Sequence, residues 1–134
     1  MAIILVCPKI YRDIITTPCI RCIVIDPDEV TLHDTSRFFT RRIRGIIGLV
    51  DISAKDSLDK FIQILGISDR IIHGSRQTVI LGDVSALSKL EFGLGFGKEV
   101  LEQIKGLGIE FRAFTRATLV EKLMSVLTDL RLLP

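Results

Sequence analysis

Thr78-Val-Ile-Leu-Gly-Asp83 is an almost unbroken apolar run closed by an acid, and Cys22-Ile-Val-Ile-Asp26 has the same form. A strand with one wet face alternates apolar and polar residues. A run without alternation suits a strand covered on both faces, as in a parallel sheet between helices. Working outward, comparable runs lie at Ala2–Cys7, Cys19–Asp26, Gly48–Ile52, Thr78–Asp83 and Ile109–Phe114. Stripes at helical spacing fill the gaps. Leu58, Phe61, Ile62 and Leu65 make one, with Gly66 as its stop. Val100, Leu101, Ile104 and Leu107 make another before Gly108, and Leu119, Leu123, Val126 and Leu130 a third. Over Thr35 to Ile46 the spacing predicts a further helix, with Phe39, Ile43, Ile46 and Ile47 inward and Arg37, Arg41 and Arg44 opposite. Pro8–Pro18 reads as a hairpin arm or as a loop with one helical turn. Strand and helix alternate along the chain. That predicts a single α/β domain over residues 1–134, a mostly parallel sheet of about five strands with helices packed on it by right-handed crossovers.

The two halves, 19–66 and 78–130, align on one another. A shift of 57 lays Asp26 on Asp83, Val30 on Leu87, Thr31 on Ser88 and Asp34 on Glu91. Beyond the helix the shift becomes 61, placing Arg44 on Lys105, Gly45 on Gly106, Leu58 on Leu119 and Ile62 on Leu123. Two readings fit: a βαβα duplication, or two units that look alike because both are patterned for burial.

Composition sets the bounds. A chain of 134 residues, 48% hydrophobic and 25% charged, is long enough for one buried core and too apolar for a disordered tail. No apolar run approaches the roughly 18–20 residues that span a bilayer. The apolar opening at Met1–Cys7 lacks a basic leader, so no signal peptide is expected. A net charge of +2 is too small to draw in a polyanion, so nucleic acid is not an expected partner despite Arg37, Arg41, Arg42 and Arg44. The absence of Asn, with three Gln and 20 Ile, argues for a thermophilic source. Three Cys cannot all pair within one chain, which argues for reduced thiols in a cytoplasm. The apolar content and the excess width of the C-terminal stripe, flanked by Met124 and Leu127, argue for a homodimer. The alternative is that the tail folds back over an edge strand.

Ligands of an open parallel sheet bind beyond the carboxyl ends of its strands. That edge is expected to gather Asp26, Asp34, Thr35, Ser53 and Asp83. The stretch Ile25-Asp-Pro-Asp-Glu-Val-Thr-Leu-His-Asp-Thr-Ser36 resembles the core signature of STAS domains, the sulphate-transporter and anti-sigma-factor-antagonist family. There a strand ends in Asp, and Asp-Ser or Asp-Thr opens the next helix. Leu81-Gly-Asp-Val-Ser-Ala-Leu-Ser-Lys-Leu-Glu91 echoes it, with Phe92 where the hydroxyl would stand. The family places two strands and a helix before the first Asp, and this chain has only about 25 residues there. The resemblance implies that Thr35, beside Asp34 and Ser36, is the phosphorylatable position, and that the module docks a protein partner or binds a small anion. The structural alternative is a helix cap at Asp34, Thr35 or Ser36.

Other constellations carry less. Cys19-Ile-Arg-Cys22, with Cys7, His33 and His73, could hold zinc or a redox pair. On an extended strand, however, positions three apart point to opposite faces, so inert thiols and no metal are expected. Gly93-Leu-Gly-Phe-Gly-Lys98 fails both the P-loop and the dinucleotide patterns, since Glu99 follows the Lys and Lys98 replaces the third Gly. No catalytic triad pattern appears. The expectation is a non-enzymatic regulatory module without a cofactor. The competing one is a small metal-dependent enzyme acting on phosphate-containing substrates through Asp26, Asp28 and Asp83. Strand order separates STAS-like from flavodoxin-like or Rossmann-like winding.

Overall fold

The computed structural model describes residues 2–15, 22–27, 43–71, 77–85 and 96–129. Five strands form one sheet: β1 (Ala2–Val6), β2 (Cys22–Ile25), β3 (Ile43–Asp51), β4 (Gln77–Asp83) and β5 (Glu110–Phe114). Every pairing is parallel and the order is β2-β1-β3-β4-β5. This is the flavodoxin-like doubly wound order, with its switch point between β1 and β3. Winding runs outward from β1 to β2, then restarts at β3 and proceeds the other way to β5. The expected α/β class and parallel sheet are both present.

Among the described residues four helices cover the sheet: α1 (Lys9–Arg12), α2 (Lys55–Ile71), α3 (Phe96–Leu107) and α4 (Leu119–Asp129). A 310 turn at Arg116–Thr118 leads into α4. Strand side chains alternate between two cores. Ile4, Val6, Ile46, Val50 and Ile80 pack under α2 and α3. Ile3, Leu5, Ile47, Leu49 and Leu81 pack under α1 and α4, with Tyr11, Leu119 and Leu123. Both faces of the central strands β1, β3 and β4 are therefore dry, which is why their sequences lack alternation. Gly48 lets α2 come close: a Cβ there would collide with the Phe61 ring. Gly108 closes α3 in the left-handed conformation, φ 68°, as a Gly after a helix does.

Two sequence expectations are corrected. Ile43, Ile46 and Ile47 do not continue a helix from Thr35; they open β3, where Arg44 also lies. An apolar run this dense satisfies both periods, and its β-branched residues suit the central strand. Gly66 does not stop α2, which continues to Ile71. One interior Gly costs about 1 kcal/mol, less than the burial of Leu58, Phe61, Ile64 and Leu65 returns. Pro8–Pro18 contains one helical turn, α1, within its described part. The internal alignment holds where Asp26 and Asp83 follow parallel strands, but it sets Gly45 of β3 against Gly106 of α3.

Candidate functional site

Parallel strands bring their carboxyl ends to one edge. Asp26 follows β2, Asp51 ends β3 with Ser53 two residues on, and Asp83 ends β4 opposite Asp51 in register. The expected grouping of Asp26, Ser53 and Asp83 is therefore present. Asp34, Thr35 and Ser36 lie outside the described residues, as do Asp28, His33, His73, Cys19 and the run Gly93–Gly95.

Each acid on this edge is engaged. Asp83, 3% exposed, accepts the Tyr11 hydroxyl at 2.8 Å on Oδ2 and the Ser85 backbone N–H at 2.9 Å on Oδ1. Arg116 Nε lies 3.7 Å from the same Oδ2, while its backbone N–H donates to Ser85 Oγ at 3.1 Å. The Tyr11 ring meets Phe114 edge to face with centroids 5.6 Å apart. Burial, then the hydrogen bond to Asp83, pushes the Tyr11 phenol far above its ordinary pKa. One residue on, Arg12 Nη2 stands 3.9 Å from Asp26 Oδ2. The single turn of α1 thus reaches two strand ends, one on each side of β1 and β3. Beneath it, burial pushes the Cys7 thiol from 9.0 up to about 11, with Arg12 opposing and Asp26 adding to the shift.

Asp51 behaves differently. Its Oδ1 accepts both the Ser53 N–H at 3.0 Å and the Ser53 hydroxyl at 2.6 Å, which closes the turn after β3. Its backbone N–H donates to Ser57 Oγ at 3.1 Å, tying that turn to the start of α2. Asp51, Ser57 and Lys60 line a cleft of about 170 Å3 with Pro8 and Lys9 from the end of β1 and Pro27 from the end of β2. This cleft sits at the switch point, where the two windings part.

Sequence reasoning found Asp26, Ser53 and Asp83 but missed Asp51, Tyr11 and the cations. Asp51-Ile-Ser53 did carry a signal, an Asp two residues before a hydroxyl at a strand end. Tyr11 carried none. Among the described residues no three His, Cys, Asp or Glu side chains come together as a metal-binding group. No helix among them is long and apolar enough to cross a membrane. No protein-family model matches the chain, and no curated protein matches it.

Proposed function

We propose that the chain is a non-enzymatic regulatory or interaction module that docks a protein partner or binds a small anion at the carboxyl edge of its sheet. The observation that carries this reading is how the edge acids are used. Asp83 is held by Tyr11, Ser85 and Arg116, Asp26 by Arg12, and Asp51 by Ser53. Both Asp83 oxygens and Asp51 Oδ1 are committed to bracing the turns after β4 and β3, and of these two acids only Asp51 Oδ2 stays open among the described residues. Two of the groups that hold the edge acids are accessible cations. Arg12 and Arg116 side chains are 41% and 58% exposed, so an anion or an acidic partner surface is attracted.

The resemblance of Ile25–Ser36 to STAS domains points the same way, with Asp34, Thr35 and Ser36 as the modification or partner-binding position. Because the strand order is flavodoxin-like, the proposal leans on the edge geometry rather than on that resemblance. A second copy of the chain is one fitting partner: Val120 and Met124 expose apolar surface one turn apart on α4.

Thermal unfolding tests the anion reading. Millimolar phosphate or sulphate raises the midpoint saturably, and Arg116→Gln weakens that rise; Mg2+ and Mn2+ leave it unchanged. A saturable rise with the divalent cations and none with anions overturns the proposal. Sedimentation tests the self-association: a 15.0 kDa species unchanged between micromolar and millimolar chain rules out the homodimer.

A further inference from the structure

The switch-point cleft has walls from the ends of three strands and the start of α2. Its volume of about 170 Å3 is several times one water's share of roughly 30 Å3, and below the ~300–1,000 Å3 typical of drug-sized ligands. It suits a small molecule. Its charges are unevenly satisfied. Lys60 and Asp56 pair at 3.4 Å, one turn apart on α2. Asp51 uses Oδ1 for Ser53, and its Oδ2 has no partner among the described residues. The Lys9 ammonium has no partner among the described residues either, and it forms no ion pair with Asp51. Among the described residues, one ammonium and one carboxylate oxygen lining this space therefore have no protein partner.

We propose that this cleft binds a small zwitterion of the size and chemistry of a free α-amino acid, its carboxylate at Lys9 and its ammonium at Asp51. A phosphate dianion drawn by Lys9 meets the Asp51 carboxylate in the same space. A divalent cation drawn by Asp51 meets Lys9 and finds Asp56 already held. A molecule carrying both charges a few bonds apart satisfies both groups, and Pro8, Ile10 and Pro27 offer apolar contact to a short side chain. Neither Arg12 nor Arg116 lines this cleft, so the inference goes beyond the anion-binding reading and does not rest on it.

Calorimetric titration of the full chain tests it, with L-alanine, acetate, methylammonium and phosphate as separate probes. L-alanine binds saturably and at least tenfold more tightly than each singly charged probe. Lys9→Met and Asp51→Asn each raise its Kd at least tenfold, whereas Lys105→Met on α3 does not. Asn at 51 keeps an oxygen for Ser53; should that variant fail to fold, the exposed Lys9→Met carries the test alone. Acetate or phosphate binding as tightly as L-alanine overturns the zwitterion and leaves the anion reading standing. No binding by any of the four overturns both and leaves protein docking as the surviving function.

Discussion

Tyr11 links residues 72 positions apart, donating to Asp83 from a one-turn helix. Removing the hydroxyl leaves a buried carboxylate oxygen short of its donor, which costs about 1–3 kcal/mol. Tyr11→Phe therefore lowers the urea midpoint while the sheet persists, because Ser85 still holds Oδ1. Two glycine substitutions differ in sign. Gly48→Ala drives a methyl into Phe61 and destabilises by about 1–3 kcal/mol. Gly66→Ala stabilises by about 0.5–1 kcal/mol, since its Cβ meets nothing within 4 Å and the helix gains a better former. Equal midpoints for the two variants contradict this reading of α2. Such contacts are where the sequence is least legible. Asp26 and Asp83 stood out as acids closing apolar runs, a pattern Asp51 shares, whereas Tyr11 is one aromatic in a segment with no period to locate it.

At the scale of elements, burial on α4 separates neighbours. Leu123→Ala removes a buried side chain and costs about 2–5 kcal/mol, while the exposed Met124→Ala stays within about 0.5 kcal/mol of the parent. Chemical denaturation of both variants checks the ratio. β1 and β4 were legible because doubly covered strands keep few polar residues, and α3 and α4 because their stripes end cleanly. β3 was half legible. Gly48–Ile52 reads as strand, but Ile43, Ile46 and Ile47 also satisfy helical spacing, and only pairing with β1 and β4 decides between them. The length of α2 was hidden by Gly66, whose local cost is small beside the burial of the stripe that precedes it.

For the molecule as a whole, Cys7 and Tyr11 set an alkaline limit. Both hold their protons more tightly folded than unfolded, so their contribution is intact below the unfolded values of 9.0 and 10.0. It falls as pH rises, by up to about 1.4 kcal/mol per pH unit for each group. The unfolding midpoint is thus flat between pH 7 and 9 and drops above 9, first through Cys7. Cys7→Ala removes the drop between pH 9 and 10; an unchanged profile contradicts the assignment. The candidate edge was legible at this scale because parallel strands share one end. Its cleft was not, since strand order depends on contacts across the whole chain.

The all-parallel pairing also dictates how the chain must find its fold. Antiparallel neighbours can zip from a two-residue turn, but parallel strands meet only after a crossover has closed. Among the described strands no hairpin is available as a seed. The shortest crossover with both strands central is β3–α2–β4, whose seven paired positions run from Gly45–Gln77 to Asp51–Asp83. Loop closure must precede any gain from this sheet, so folding is slow for a chain of this size. The expected outcome in rate measurements is that Leu58→Ala and Ile80→Val lose stability mainly through slower refolding, whereas Ile25→Val on the outer β2 chiefly speeds unfolding. The switch-point cleft then belongs to the late part of the reaction, assembled when β1 docks beside a β3 already in place.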